Sequence, residues 1–243
     1  RMAARLDCAL RSLDRDRGGW ARSSAATALY RPLEIGGRSV VEKAIFLFTR
    51  HPARSREDFA AHYVNHHAVL GRRLTRSLIG YSVNIVRNCD WPDAVTEHWV
   101  RSVRDLLNPA ISYATSEEFD TVREDDRTLF DGFRLYVVNA EHVVVDGHPP
   151  TTQLGLRSPM RKVIWRYAMN SRLPPPPPWA VRVVDNCVKC ELVHARDRAW
   201  SSHAADVAVF RMAWTRDQHT VVNDADLVVD EYRQLQAPDS FWS

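Results

Sequence analysis

The sequence lacks the markers of several large protein classes. It contains only nine glycines in 243 residues, and they form no GxGxxG or P-loop pattern that would cradle a nucleotide phosphate. There is no GxSxG nucleophile elbow, and no apolar run approaches the roughly 20 residues that a membrane-spanning helix needs. Four cysteines are too few to staple a chain of this length with disulfides. These absences predict a reduced, cytoplasmic protein.

Charge of one sign is not in excess either. The chain has 33 lysines and arginines against 30 aspartates and glutamates, which gives a formal net charge of +3. The basic residues are scattered rather than arranged in a stripe, so no nucleic-acid partner is predicted. The 45% hydrophobic and 26% charged content is ordinary for a globular protein. The length suits one large domain or two small ones.

One stretch, residues 43–88, has the pattern of a strand, a helix and a second strand. Residues 43–50 are apolar on both alternating faces, which predicts a strand that is covered on both sides. Ser55 follows at the position of a helix N-cap, with acidic residues in the first turn behind it. Residues 81–86 alternate as the second strand. A pair of histidines that includes His67 lies on the connecting helix.

This stretch and the residues after it resemble the EthD family of small α+β proteins. The family pattern combines a lysine-led strand, a proline, a helix with acidic and aromatic residues before a histidine, and a strand that begins Gly-Tyr. The resemblance covers about residues 42–146, and Ala68 replaces the proline that usually follows the family's histidine. The matching positions are Lys43, Pro52, Glu57, Asp58, Phe59, Tyr63, His67, Gly80, Tyr81 and Asn84.

The resemblance implies a ferredoxin-like fold whose members pair their sheets into dimeric α/β barrels. It also implies a small aromatic or polyketide-like substrate, because members are linked to oxidation of small molecules and to dehydration or decarboxylation of polyketides. The residues complete the unit with a third strand near 93–99, a helix capped by Thr115, and a fourth strand near 135–145.

The second half of the chain predicts a weaker copy of the same unit. Four β-prone segments recur in order, near residues 162–169, 180–194, 206–215 and 226–235. Their connections are short, and the five prolines at 174–178 cannot form a helix. The predicted fold class is therefore α+β: a ferredoxin-like βαββαβ unit of the dimeric α/β barrel type, followed by a degenerate, helix-poor second repeat.

These segments divide the chain into five predicted parts. The two repeats are expected to pack as an intramolecular pseudo-dimer, unless the chain forms a homodimer instead. The parts are an N-terminal extension that is expected to be partly disordered (1–40), the EthD-like domain (41–147), a linker (148–161), the second repeat (162–236) and a tail (237–243).

The first strand of the second repeat has one apolar and one polar face. Val163, Trp165 and Tyr167 alternate with Lys162 and Arg166. Half-polar strands are typical of a sheet with one wet face. We therefore expect the apolar set to pack inward against the first repeat, with the two cations on the solvent side.

His67 is the candidate catalytic residue, because an imidazole can both accept and donate a proton near neutral pH. A solvated helix histidine is the alternative interpretation. His62 and His66 are four residues apart, as in helical zinc sites, but no acidic ligand is near them in the sequence, so no metal site is predicted. Asp125 and Asp126 fall where the EthD family often has an acid, and a helix-end role is the expectation for them.

Aromatic residues of the strands and the helix are the candidates for binding the substrate. In a barrel they would surround a flat apolar ligand, with Tyr81 supplying a hydroxyl group. Packing in the core is the alternative use of these rings. The candidates are Phe46, Phe48, Tyr63, Tyr81, Trp99 and Tyr136.

The resemblance implies a small-molecule enzyme that acts on an aromatic or polyketide-like substrate, with His67 as its acid/base. The reaction would be that of a cofactor-free oxidoreductase, or of a lyase that removes water or carbon dioxide. The alternative is a noncatalytic ligand-binding or accessory protein of the same fold, which the helix-poor second half favours. The expected partner is a small molecule, with no nucleic acid, membrane or cofactor.

Overall fold

The structure is a computed structural model. The predicted extension at 1–40 and the predicted tail at 237–243 lie outside the residues that it describes. Among the described residues, no helix combines the length and apolar character needed to cross a bilayer. The described ranges are 41–148, 153–195, 201–203, 205–216 and 227–235.

Nine β-strands lie within these ranges, and every ladder between them is antiparallel. The strands are β1 (Glu42–Arg50), β2 (Leu78–Val86), β3 (Ala94–Val100), β4 (Phe130–Asp146), β5 (Arg161–Tyr167), β6 (Arg182–Ala195), β7 (Ser201–His203), β8 (Val209–Thr215) and β9 (Leu227–Leu235). Their spatial order is β4-β1-β3-β2-β9-β5-β8-β6, with the short β7 beside β6. A further ladder between β4 and β6 joins the two ends of this row.

The helices of the described residues all belong to the first half of the chain. Two predicted caps are confirmed, because the Ser55 hydroxyl accepts from the Asp58 amide and the Thr115 hydroxyl accepts from the Glu118 amide. The helices are α1 (Arg56–His62), a π-helical turn (Tyr63–His67), α2 (Ala68–Leu74), α3 (Val103–Leu106), α4 (Pro109–Ser112) and α5 (Ser116–Leu129).

The ferredoxin-like interpretation is wrong. Strands β2 and β4 do not end a sheet, because β2 pairs with β9 and β4 pairs with β6. Backbone hydrogen bonds therefore run unbroken around eight strands, and closure leaves no unpaired edge among them. The second half has strands near the predicted positions, but they are half of the same barrel. The described residues form one closed antiparallel barrel with few helices, rather than a βαββαβ unit and a degenerate copy.

Side chains of β1 alternate between two buried spaces, as its doubly apolar pattern predicts. Phe46 and Phe48 face the helices, whereas Ile45 and Leu47 face the inside of the barrel. The first space, here called the helix layer, lies between the helices and strands β1–β4. The second is the barrel interior, since all eight barrel strands contribute to its apolar cluster. The strand is therefore covered on both sides.

A third apolar cluster, the outer patch, covers the outside of the second half. It consists of Val163, Trp165, Val183 and Ala213. Trp179, which follows the proline run, lies over it with its ring 6.1 Å from that of Trp165. The proline segment is not helical, as predicted. An extended segment thus covers a face that a helix covers in the first half.

The predicted orientation of β5 is wrong. Val163 and Trp165 lie on the outer patch, whereas Lys162 and Ile164 point into the barrel. Lys162 is only 1% exposed rather than solvated. The reason is that the barrel interior holds carboxylates, which a buried lysine can pair with.

Buried charges form a network inside the barrel. The Lys43 ammonium lies 2.9 Å from Glu97 Oε2 and 3.0 Å from Glu141 Oε2. Lys162 contacts the other oxygen of Glu97 and lies 3.2 Å from Glu231 Oε1. Each of these five side chains is at most 5% exposed. Glu97 therefore joins a lysine of the first half to a lysine of the second.

The network favours the charged forms of Glu97 and Lys43. Burial alone would raise the pKa of Glu97, but the charges and hydrogen bonds of Lys162 and Lys43 outweigh it and lower the pKa to about 2. Burial disfavours the Lys43 ammonium, yet Glu141 and Glu97 together raise the pKa of this lysine. A small cavity beside the network has room for roughly one water molecule.

We predict that Glu97→Gln destabilises the protein by about 3–5 kcal/mol, because it leaves two buried ammonium groups short of a counter-charge. Urea denaturation measures the change. Glu124→Gln is the matched control, since the Glu124 side chain is 71% exposed and pairs only with Arg127 of its own helix. Equal stabilities for the two variants would contradict a central role for Glu97.

The network also predicts how the free energy of unfolding changes as the pH falls. The folded-state pKa of Glu97 lies below its usual 4.5, so the unfolded chain takes up this proton first as the pH falls. The contribution of Glu97 is fully present above about pH 4.5 and is lost toward pH 2. The stability gap between wild type and Glu97→Gln should therefore narrow over this window. A gap that stays constant from pH 6 to pH 2.5, roughly, would argue against the shift.

Candidate functional site

The candidate site lies in the helix layer, where a π-helical turn carries His67. The Ala68 amide donates to the Tyr63 carbonyl, five residues back, so the turn is one residue wider than an α-helical turn. In an α-helix, residues five apart project roughly 140° from each other. The wider turn brings them to one side. His62 and His67 thereby reach the same partner.

That partner is Asp125, on helix α5. Its Oδ2 lies 2.8 Å from His67 Nδ1, and its Oδ1 lies 2.7 Å from His62 Nε2. An ionised carboxylate only accepts hydrogen bonds, so both ring nitrogens carry protons and donate. Burial alone would raise the pKa of Asp125, but the hydrogen bonds from His67 and His62 outweigh it and lower the pKa to about 2. The helix-end role expected for Asp125 is therefore wrong.

The other nitrogen of His67 is the one available for proton transfer. His67 Nε2 lies 3.5 Å from Asp126 Oδ1, and the side chain of His67 is 9% exposed. The imidazole ring packs edge-on against Tyr63 and Phe130, at centroid distances of 5.3 and 5.1 Å. A histidine oriented by one carboxylate thus faces an aromatic surface.

Several polar groups continue from this ring across the otherwise apolar layer. The Tyr63 hydroxyl lies 2.7 Å from the Thr96 hydroxyl, and Tyr63 and Tyr81 are close enough to influence each other electrostatically. Burial raises the pKa of both tyrosines, so both stay neutral. The ring of His98 packs 4.7 Å from that of Tyr81. The layer therefore offers hydroxyl and imidazole groups among stacked rings.

His98 was not identified from the sequence. Its two ring nitrogens are buried, and they have no hydrogen-bond partner among the described residues. Burial, and secondly the charge on His67, lower the pKa of His98 to about 3, so this imidazole stays neutral. The alternation of β3 places His98 on the same strand face as Thr96, which the sequence could have shown. The sequence does not show that this face packs against Tyr81.

The predicted site residues divide between the two buried spaces. The helix layer brings Phe46, Phe48, Tyr63 and Tyr81 together with His67. Trp99 lies in the barrel interior, where it packs under the Lys43 ammonium and lines the small cavity. Tyr136 is also interior, and its hydroxyl donates to Asp206 over 3.0 Å. Neither of these two rings lies with His67, and His67 does not line the cavity.

Comparison with known proteins gives no family. No known protein family and no curated protein matches the sequence. In structure the chain is similar to an anthrone oxidase-like protein (8% identity, TM-score 0.43, covering 83% of this chain and 96% of that one). It is also similar to a proposed monooxygenase from Lactobacillus acidophilus NCFM (9% identity, TM-score 0.39, covering 81% and 95%). Likenesses of this size assign neither family nor activity.

We predict that Asp125→Asn lowers the stability of the fold by about 1–3 kcal/mol, because two imidazoles lose a charged acceptor. Asp125→Asn should also allow His67 to populate both neutral tautomers. Long-range nitrogen–proton NMR spectra of the imidazole ring measure their proportions. Glu124→Gln is the control, since Glu124 lies on the same helix, is 71% exposed and pairs with Arg127 rather than with a histidine. A His67 ring spectrum unchanged in Asp125→Asn would show that Asp125 does not orient it.

Proposed function

We propose that the protein is an EthD-like small-molecule enzyme in which His67 acts as a general acid/base on an aromatic or polyketide-like substrate. The observation that supports the proposal most is the pairing of His67 with Asp125 at the edge of the stacked rings of the helix layer, here called the aromatic layer. A carboxylate that fixes the imidazole tautomer leaves the second nitrogen free to take or give a proton. An imidazole oriented by a carboxylate is the arrangement that a histidine general base uses.

The aromatic layer supports the proposed substrate class. Phe48 and Phe130 stack with centroids 4.1 Å apart, and Phe46 and Phe48 stack at 5.5 Å. A flat aromatic ligand makes contacts of the same kind. The hydroxyls of Tyr63 and Tyr81 would orient its oxygen atoms by hydrogen bonds.

Two reaction types fit a histidine acid/base without a bound cofactor. In a dehydrating lyase, His67 Nε2 removes a proton from a substrate carbon, and the protonated ring returns it to the leaving hydroxyl oxygen, so that water departs. In a decarboxylating lyase, carbon dioxide departs, and the protonated ring delivers its proton to the carbon that is left. In an oxidoreductase, the same deprotonation gives an electron-rich anion. Dioxygen takes two electrons from this anion and forms hydrogen peroxide with the proton held on His67 and a second proton that the oxidised substrate loses. In both, Asp125 stabilises the imidazolium that forms.

A noncatalytic ligand-binding protein is the second candidate. One observation favours it: the rings of Tyr63 and Phe130 pack directly on His67, and the small cavity beside the charge network is lined by other residues. A binding protein needs only the aromatic layer and its hydroxyl groups. Its His67–Asp125 pair would then be a structural contact.

The test uses a panel of anthrones and hydroxylated polyketide-type aromatics, with products identified by mass spectrometry and oxygen uptake followed by electrode. For a compound that wild type converts, His67→Gln should lower kcat by about 10²–10⁴-fold, the usual contribution of a general acid/base. Binding, measured by quenching of tryptophan fluorescence, should stay within about threefold. His148→Ala, on an exposed residue outside the layer, is the control.

The outcomes separate the two candidates. Turnover that disappears in His67→Gln but persists in His148→Ala supports the enzyme. Compounds that bind and are never converted support the binding protein. Conversion that His67→Gln leaves unchanged contradicts the role of His67, and a panel that neither binds nor reacts contradicts the proposed substrate class.

A further inference from the structure

We infer that His62, His66 and Asp125 form a binding site for a divalent transition metal ion on the outer side of the helix layer. His62 Nε2 and His66 Nε2 lie 2.7 and 3.7 Å from the same atom, Asp125 Oδ1. The three ligand atoms all lie within 4.8 Å of one another. The sequence suggested no such site because its acidic member is 63 residues from His62.

The spacing suits a bound ion. Zn²⁺ binds imidazole nitrogen and carboxylate oxygen at about 2.0–2.2 Å, which separates ligands of a tetrahedral site by roughly 3.4 Å. The two measured distances to Asp125 Oδ1 lie on either side of this value. The ion would replace the proton that His62 Nε2 donates to Asp125, since a ligating nitrogen must be deprotonated. The His66 side chain is 56% exposed, so it is free to move the short distance that closes the site. His62 is 24% exposed and Asp125 is 10% exposed. Because the three side chains meet at the surface, water can occupy the coordination positions of the ion that they do not fill.

The ligand set defines the class of metal. Two imidazoles and one carboxylate bind borderline ions such as Zn²⁺, Co²⁺ and Fe²⁺ and are poor ligands for Ca²⁺ or Mg²⁺, which prefer oxygen. Three protein ligands with open positions are the arrangement of catalytic rather than closed structural sites. The site therefore takes one exchangeable ion that reaches it directly from solvent.

The second oxygen of Asp125 strengthens the site. His67 Nδ1 donates to Oδ2, so the carboxylate is held in place and its Oδ1 points at the two other histidines. Metal-ligating carboxylates are commonly oriented by such outer partners. The site goes beyond the proposed function, because metal binding requires neither the substrate nor the aromatic layer.

Titration of the purified chain with Zn²⁺, followed by isothermal calorimetry, tests the inference. In His66→Ala, the Kd of the proposed site should rise by roughly 100-fold or more, since even outer partners of a metal ligand contribute roughly 10–100-fold. Over the concentrations used for wild type, the variant should therefore bind one ion fewer per chain. Co²⁺ gives a second readout, because its visible absorption reports the coordination number. His66 is exposed and makes no contact with the aromatic layer's rings, so its removal leaves the fold intact.

His148→Ala is the matched control, because it removes one exposed histidine elsewhere on the chain. Asp125→Asn, which keeps the shape of the ligand and removes its charge, should also weaken binding. Three results would each overturn the inference: no Zn²⁺ binding by wild type, equal binding by wild type and His66→Ala, or an equal loss in His148→Ala. The selective loss in His66→Ala and Asp125→Asn is the result that supports it.

Discussion

Glu97, held between two lysines inside the barrel, is the interaction on which the rest of the structure depends. A carboxylate with an exposure of 1% is too costly to bury alone. Its partners Lys43 and Lys162 come from β1 and β5, one from each half of the chain. The ion network therefore forms only when the barrel is closed. Closure in turn removes the water that would weaken these ion pairs, so the two features support each other.

Strand β1 connects this interior to the candidate site. Lys43, Ile45 and Leu47 face the network and the barrel interior, while Phe46 and Phe48 face the helices. The aromatic surface under His67 is thus the back of the strand that holds the charges. A barrel strand cannot shift its register without moving both faces. The interior network consequently fixes the position of the aromatic layer, and the helices position the histidines over it.

The parts that the sequence predicted well are those set by neighbouring residues. The doubly covered β1, the caps Ser55 and Thr115, and the nonhelical proline run depend on local pattern and on turn chemistry. Distant pairing decided the rest. The alternation in β5 shows two different faces, but only carboxylates from β3 and β9 make Lys162 the inner one. Barrel closure depends on ladders between strands far apart in the chain. Asp125 lies 58 residues from His67, and no local pattern marks the π turn that aims both histidines at it.

The π turn makes the backbone geometry of one short segment part of the candidate site. His62 and His67 meet one carboxylate because five residues complete the turn between them, where an α-helix would use four. If the same residues formed a regular α-helix, His62 and His67 would project roughly 140° apart, and only one of them could reach the carboxylate of Asp125. The two rings therefore share one acceptor only while the backbone keeps the wider turn. An exposed residue of this segment such as Asn65 can thus affect the site through the backbone alone, without touching either histidine.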